Sequence, residues 1–161
     1  MQRNLVLIRL PVLAVGATIV MLGPAPAQTP NVRYSNPATM AKPAGYTHVV
    51  EVSGPGRTIY IAGQLGYDST GKQGADFREQ ATLVDENLKA AVESVGGKME
   101  NIIKLNAFLT DIRAQLPIYR EVRDKFVNVA APPASTTLEV PKLAREGALL
   151  EVEAIAVLPA R

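Results

Sequence analysis

The clearest periodic pattern in the chain is an apolar stripe between residues 76 and 95. Apolar residues recur there at steps of three and four, the spacing of one face of an α-helix. The stripe consists of Phe77, Ala81, Val84, Leu88, Ala91, Val92 and Val95. Asp76 and Glu79 have the spacing of a capping box, and Gly96-Gly97 supplies a stop. The pattern predicts a helix over residues 76–95.

A second, shorter stripe follows Pro117, which suits the first turn of a helix. Its members are Ile118, Tyr119, Val122, Phe126 and Val129. Proline cannot continue a helix, so we expect this one to end before Pro132-Pro133.

Five segments have the alternation or the β-branched and aromatic composition of strands. They are residues 46–52, 57–63, 102–109, 135–140 and 149–157. The sequence Ser53-Gly54-Pro55-Gly56 is typical of a hairpin turn and predicts that the first two segments pair. Residues 59–63 are apolar on both faces, which predicts a central position in the sheet.

The predicted elements follow the order ββαβαββ. One sheet with both helices on one face is the economical arrangement, so we expect an α+β fold. The other face of the sheet also carries Ile, Val and Ala residues, and the sequence offers no further helix to cover it. Another subunit is the natural cover, so the pattern predicts an oligomer.

Residues 1–27 have the features of a cleavable secretory signal peptide rather than of a folded segment. Arg3 and Arg9 precede a short apolar run, and Ala25-Pro26-Ala27 resembles a signal peptidase site. The alternative is an N-terminal membrane anchor, but the run is short for a span of about 20 residues. We therefore expect an exported protein, periplasmic or secreted, that has no membrane attachment after cleavage. Residues 28–44 are predicted to be an irregular lead-in to a domain over residues 45–161.

Removal of the signal changes the charge of the chain. The full sequence has 17 basic and 15 acidic residues, and loss of Arg3 and Arg9 leaves 15 of each. A formally neutral protein does not favour nucleic acid as a partner. There is no Cys, which excludes disulfides, a lipoprotein anchor and a thiol nucleophile. The single His, His48, excludes a histidine cluster for a metal and disfavours a His-based triad.

Glu151 and Glu153 are the most prominent candidates for chemistry. Their spacing of two places both on one face of the last predicted strand, together with Ile155. A partly enclosed carboxylate can exchange protons with a substrate or with water. An exposed position, or an ion pair with Lys or Arg, is the commoner arrangement for a glutamate.

Other candidates stand where predicted elements begin or end. Ser135 follows the Pro-Pro-Ala sequence at a helix-to-strand transition, where its hydroxyl can bind a ligand or cap a turn. Gly63 ends a strand, which suits close approach of a ligand or a bulge. Tyr46 and His48 begin the first predicted strand, and Asn87 is expected to be solvated or bonded to a loop.

Several short motifs, in order and at matching spacing, resemble one family over residues 46–157. The motifs are Ile59-Tyr60-Ile61-Ala62-Gly63-Gln64, Gln80-Ala81, Asn87-Leu88, Lys104-Leu105-Asn106-Ala107-Phe108-Leu109-Thr110-Asp111, Pro133-Ala134 and Leu150-Glu151-Val152-Glu153-Ala154-Ile155-Ala156. Each motif is weak alone, but together they resemble the RidA (YjgF) family of imine and enamine deaminases.

The resemblance implies a chorismate-mutase-like α+β fold and a homotrimer whose sheets surround a central barrel. It implies small-molecule ligand sites in clefts between subunits, lined here by Tyr46, Gly63 and Glu151. Family deaminases hydrolyse 2-imino acids, or their 2-aminoacrylate tautomers, to 2-oxo acids and ammonia. No metal or organic cofactor is implied.

The sequence departs from the family at the residue that binds the substrate carboxylate. In active deaminases an Arg follows the Pro-Ala pair and grips the carboxylate with two hydrogen bonds. Here that residue is Ser135, and a family Ser at the strand end is replaced by Ala62. Residues 136–141 also depart from the family pattern. Loss of a charge-assisted contact of this kind costs roughly 2–5 kcal/mol if nothing compensates.

Three hypotheses follow from these features. In the first, the protein is an Arg-less hydrolase of altered specificity, in which Glu151 positions water or transfers protons. Ser135, Thr137 and the backbone near Gly63 would then bind polar groups of the substrate.

In the second hypothesis, the trimer is a non-catalytic periplasmic protein that binds a small ligand or another protein. In the third, the protein is an ordinary 2-imino-acid deaminase, and Arg57, Arg120 or Arg123 of a neighbouring subunit reaches the cleft in place of the missing arginine.

Overall fold

A computed structural model describes residues 28–161, so the predicted signal peptide lies outside the described residues. The elements, in chain order, are β1 (Asn31–Ser35), β2 (Val49–Ser53), β3 (Arg57–Leu65), α1 (Phe77–Ser94), a short 3-10 turn (Met99–Asn101), β4 (Ile102–Leu109), α2 (Ile112–Arg123), β5 (Ala134–Glu139) and β6 (Leu150–Leu158). Over this part of the chain, no helix is long and apolar enough to cross a membrane.

A four-stranded sheet with the order β3-β6-β4-β5 forms the centre of the domain. β6 runs antiparallel to both of its neighbours, and β4 pairs with β5 in parallel. The residues of β6 that face the helices are all buried: Leu150, Val152, Ala154, Ala156 and Leu158. Both helices pack on that one face, which confirms the predicted α+β arrangement.

α1 matches its prediction closely. The Asp76 side chain caps the helix by accepting a hydrogen bond from the backbone N–H of Glu79 at 2.8 Å. The Glu79 carboxylate accepts from the N–H of Ala75 at 2.7 Å, one residue earlier than a capping box requires. Phe77, Ala81, Val84, Leu88 and Val92 of the predicted stripe are buried, and Ala91 and Val95 are partly buried. A burial of this kind provides most of the stability of such a helix.

α2 begins earlier than the sequence pattern predicted. Asp111 caps it by accepting a hydrogen bond from the N–H of Ala114 at 3.1 Å. Pro117 therefore lies inside the helix and not in its first turn. The predicted stripe also extended too far, because the helix ends at Arg123 and Val129 is 64% exposed.

The predicted hairpin between the first two strands is wrong. β2 pairs with β1, in the register Val32 opposite Val52, and β1 lies within the segment predicted to be an irregular lead-in. β3 pairs with β6 and lies at an edge of the four-stranded sheet, so its predicted central position is also wrong. The apolar residues on both faces of β3 include Tyr60, whose side chain is 78% exposed. The face of β3 that points away from the helices is therefore not covered by residues 28–161.

Candidate functional site

Gly63 and Glu151 lie together where β3 leaves its regular pairing with β6. The register shifts between Ile61 and Gln64, so that Ala62 and Gly63 form a bulge. Glu151 lies opposite Leu65, and its carboxylate approaches the Gly63 backbone so closely that an added Cβ would overlap it. The φ angle of Gly63 is not positive, so the backbone conformation does not itself require glycine. The close approach of the Glu151 carboxylate explains why residue 63 has no side chain. Bulges of this kind often redirect side chains at functional sites.

Glu151 and Glu153 share one face of β6, as predicted. Every second residue, from Leu150 onward, is buried against the helices, so the two carboxylates lie on the opposite face. Asn106 donates a hydrogen bond to Glu153 at 2.8 Å, which gives Glu153 a structural partner. Glu151 is half-buried and takes part in none of the salt bridges between described residues. Glu151 is therefore the better candidate for chemistry.

Ala62 lies beside a shallow cavity of about 480 Å³ on this open face of the sheet. Tyr60 and Ile155 give the cavity apolar walls, and Lys104 and Asn106 give it polar ones. The Lys104 ammonium donates to the Thr136 hydroxyl at 2.7 Å and so bridges β4 and β5. The open face therefore mixes apolar surface with polar groups that already have partners.

Tyr46, Ser135 and Thr137 line a separate pocket of about 210 Å³ between β5 and α2. Thr47 holds the segment that carries Tyr46 in place. Its hydroxyl donates to the Pro132 carbonyl at 2.6 Å, and its N–H donates to the Pro133 carbonyl at 3.3 Å. These bonds join two segments that are 85 residues apart in sequence. We call this space the Ser135 pocket.

His48 supports Tyr46 and has no catalytic geometry. The two rings meet edge to face, with centroids 5.2 Å apart and planes at 85°. The Nε2 atom of His48 is 2.8 Å from the carbonyl oxygen of Ala41, within hydrogen-bond distance. Such an arrangement fixes the aromatic pair beside the pocket.

Arg120 and Arg123 of α2 complete the Ser135 pocket. Arg123 is only 4% exposed, and its Nε and Nη2 atoms donate to one Asp124 carboxylate oxygen at 3.0 and 2.6 Å. Gly45 leaves room for this guanidinium, because an added Cβ would lie 2.7 Å from Nη2. The φ angle of Gly45 is 77°, a left-handed conformation that also favours glycine.

A buried acid, Asp85, lies near this pocket and was not among the candidates predicted from the sequence. It is 1% exposed, and neither carboxylate oxygen has a hydrogen-bond partner among residues 28–161. Burial raises its pKa to about 7, and the Arg123 charge opposes the rise. Burial likewise raises the pKa of the Tyr119 hydroxyl, which also lacks a described partner. The sequence pattern does indicate this burial, because Asp85 follows Ala81 by four residues and so lies on the apolar stripe of α1.

Two other sequence candidates have structural roles. Asn87 donates hydrogen bonds to the carbonyls of Leu65 and Tyr67, at 3.1 and 2.9 Å. Of the two expected environments, solvent or a loop, the structure shows the loop. Arg57 donates to the carbonyls of Pro159 and Val95, both at 3.2 Å. It stands at the opposite end of β3 from Gly63, so it does not reach the Gly63 and Glu151 half-site of its own chain.

One chain does not bring Ser135 and Glu151 together. Ser135 is in register with Leu105 of β4, which faces the helices, whereas Glu151 is on the open face two strands away. Two strand spacings amount to about 10 Å, with the sheet itself between the side chains. The candidate residues thus form two half-sites: Tyr46, Ser135 and Thr137 in one, and Gly63 and Glu151 in the other. Within the described chain, no group of three or more acidic or His side chains is arranged to hold a metal.

Comparison with known proteins agrees with this fold. A "RutC family protein" of Aquifex aeolicus is 36% identical over 113 residues, which cover 70% of this chain and 87% of that protein. The "2-iminobutanoate/2-iminopropanoate deaminase" of Dermatophagoides farinae is 32% identical over 117 residues, or 70% of this chain and 85% of that protein. A crystal structure of YyfB from Yersinia pestis, of the conserved Rid protein family, has a TM-score of 0.72 at 30% identity. It covers 80% of this chain and 99% of its own.

The match extends over all strands and helices except β1 and includes both half-sites. Residues 37–158 fit the sequence profile of the family described as "Endoribonuclease L-PSP". This range contains every candidate site residue, from Tyr46 to Glu151, and all elements from β2 to β6. The chain therefore belongs to the endoribonuclease L-PSP (RidA/YjgF) family.

Proposed function

We propose that the protein is a hydrolase of small imines or enamines whose specificity differs from that of the usual family deaminases. The observation that carries the proposal is the Glu151 carboxylate held against Gly63 without an ion-pair partner among residues 28–161. One relative is named as a deaminase of 2-imino acids, which supports this reaction class. The altered specificity follows from Ser135, which cannot supply the charge of an arginine.

The reaction adds one water to the C=N bond and releases ammonia. Glu151 accepts a proton from water as the water oxygen bonds to the imine carbon, and the π electrons move to nitrogen. Glu151 then returns the proton to nitrogen. Glu151 next takes the proton of the new hydroxyl and delivers it to the amino nitrogen as the C–N bond breaks, which leaves a carbonyl product and ammonia. All atoms and charges balance without a cofactor.

We further propose that the active site forms between subunits of a homotrimer. The two half-sites lie on opposite faces of one sheet, so a second copy is needed to bring Ser135 near a Glu151 carboxylate. The open face also exposes Tyr60 and Leu138, large apolar side chains that a neighbouring subunit would cover. The site would then be a cleft between subunits that binds a small molecule.

We also propose export to the periplasm or the medium, on the strength of the signal-like residues 1–27. N-terminal sequencing of the protein from the producing cell tests this, with Gln28 as the expected first residue. An intact Met1 on cytoplasmic protein would contradict it. RNA cleavage, which the family description suggests, is disfavoured because the chain from Gln28 has equal formal numbers of basic and acidic residues.

Ammonia release by the purified protein tests the proposed reaction. The substrates are freshly generated 2-iminopropanoate and an imine without a carboxylate. We expect Glu151→Gln to lower turnover by about 100-fold or more, the usual contribution of an acid–base group. Glu153→Gln is the matched control, because it lies on the same face but is bonded to Asn106. Equal turnover by wild type and Glu151→Gln would refute the role of Glu151.

The response to Ser135→Arg separates the hydrolase from the alternative of a non-catalytic binding protein. An inactive native protein that gains activity on 2-iminopropanoate in Ser135→Arg would favour the binding protein. Saturable ligand binding without turnover would also favour the non-catalytic binding protein. Native activity on the imine without a carboxylate would support the hydrolase of altered specificity.

A further inference from the structure

Asp85 is a buried acid whose oxygens no described residue satisfies. Its side chain is 1% exposed, and neither carboxylate oxygen accepts a hydrogen bond from residues 28–161. A buried carboxylate without a partner is costly, so the group is stable only when it is protonated or paired with a cation. Two arrangements are therefore open to it, and they differ in where its counter-charge lies.

Arg123 of α2 is the charged residue that faces Asp85. It is 4% exposed, and its charge opposes the rise that burial causes in the pKa of Asp85. Its Nε and Nη2 atoms both donate to one oxygen of Asp124, whose side chain is 43% exposed. The guanidinium is thus bonded on its outer side, which is the arrangement that suits a protonated Asp85.

The other groups around Asp85 do not supply a positive charge. On α2, the Tyr119 hydroxyl is buried without a described partner, and burial holds its pKa well above the usual value. The buried residues of β3, β4 and β6 are all apolar. Lys89, four residues along α1, is exposed and forms an ion pair with Glu93. Within residues 28–161, Arg123 is therefore the cation that can neutralise Asp85.

The position of the Arg123 side chain also affects the Ser135 pocket. This side chain forms part of the pocket wall, together with Tyr46. Gly45 packs so closely on Nη2 that an added Cβ would lie 2.7 Å from it. The guanidinium therefore supports the backbone next to Tyr46, and its movement would alter both the wall and this support.

We propose that Asp85 is a positioning residue for Arg123: ionised Asp85 draws the guanidinium inward from Asp124, and protonated Asp85 leaves it against Asp124. The inward position takes the guanidinium away from Gly45 and from the wall of the Ser135 pocket. The shape and charge of this pocket then depend on pH in the neutral range. The movement does not require the proposed hydrolysis and occurs equally in a protein without turnover.

NMR of the arginine side chains tests the proposal on the purified protein. The Nε–Hε signal of Arg123, assigned through Arg123→Lys, should shift with a midpoint of about pH 7 in wild type. In Asp85→Asn the signal should stay constant through this range, because residue 85 then carries no charge that attracts the guanidinium. The Arg78 signal is the matched control, since Arg78 is exposed and bonded to Glu121, whose pKa it holds below the usual value.

Unfolding of Asp124→Asn at two pH values is an independent readout of the movement. The substitution should raise the unfolding equilibrium constant by about fivefold at pH 5, where Asp124 holds the guanidinium. It should raise the constant by less than about twofold at pH 8, where Asp85 holds the guanidinium. In an Asp85→Asn background the effect should be equal at both pH values.

Two results would overturn the proposal. One is an Arg123 signal that does not titrate near neutral pH, or that titrates equally in wild type and Asp85→Asn. The other is a cost of Asp124→Asn that is the same at pH 5 and pH 8 in the otherwise wild-type protein, since the guanidinium would then stay on Asp124 whatever the charge of Asp85.

Discussion

Replacement of the buried Asp85 by Asn should stabilise the protein, and more so at alkaline pH. Asn has nearly the same shape as Asp but no charge to bury. The folded pKa of Asp85 is about 7, compared with 3.8 as its ordinary value. Folding therefore takes up a proton between these two pH values, and the stability from Asp85 is fully present only below the lower one. It falls as the pH rises and reaches its minimum above about pH 7.

The size of the effect follows from the pKa difference. Each pKa unit corresponds to about 1.4 kcal/mol, so a rise from 3.8 to about 7 amounts to at most about 4 kcal/mol. Part of this change in stability occurs below pH 5. Between pH 5 and pH 8 we expect the stability advantage of Asp85→Asn over wild type to grow by about 2–3 kcal/mol. Urea unfolding of wild type and variant at both pH values measures it directly.

A neighbouring acid on α1 provides the control for this experiment. Glu86 is exposed, so Glu86→Gln should change the stability by less than about 0.5 kcal/mol at either pH. The reasoning would be refuted if Asp85→Asn were less stable than wild type at pH 8. That result would mean that the ionised Asp85 attracts the buried Arg123 guanidinium strongly enough to offset its own burial.

Two further substitutions test the glycines that shape the half-sites. Gly63→Ala should displace the Glu151 carboxylate and lower turnover by about tenfold or more at unchanged global stability, whereas a stability loss with normal turnover would contradict this. Gly45→Ala should lower the unfolding free energy by about 1–3 kcal/mol, because the residue is in a left-handed conformation and its new methyl group would meet Arg123. Thermal unfolding measures this loss, and a variant as stable as wild type would show that neither constraint matters.

Local patterns were sufficient to predict the central elements of the fold. The stripe of α1 and the alternation in β4 and β6 reflect which face is buried, and this burial contributes most of the stability of these elements. α2 begins earlier than predicted because Asp111 provides a cap, whereas the pattern placed the start of the helix at Pro117. An interior proline removes one hydrogen bond, which the packing of Tyr119 and Val122 in the core offsets here.

Strand pairing was the part that sequence patterns did not predict. The turn at residues 53–56 follows β2 and is a sound hairpin signal for pairing with β3. β2 pairs instead with β1, which precedes it in the chain. Partner choice depends on contacts between distant segments, which no local window contains. The lead-in is rich in Pro, Asn and Thr, and its strand was hidden by that composition.

Sequence patterns named the candidate residues but not how the fold groups them. Tyr46 and Ser135 lie near each other only because Thr47 is bonded to the loop before β5. Ion pairs between helices are equally hidden from local patterns, as the pairing of Glu121 on α2 with Arg78 on α1 shows. Asp85 was the one residue that the pattern itself marked, as an acid on a buried stripe.

In the proposed hydrolase, the placement of Ser135 and Glu151 on opposite faces of one sheet would make activity depend on protein concentration. A folded, isolated chain of the proposed hydrolase would hold both halves of the reaction centre and still be inert. Dilution below the point where subunits associate would abolish turnover while each domain keeps its secondary structure. Dilution into a large volume would therefore inactivate the proposed trimer without damage to any chain, and concentration alone would restore it.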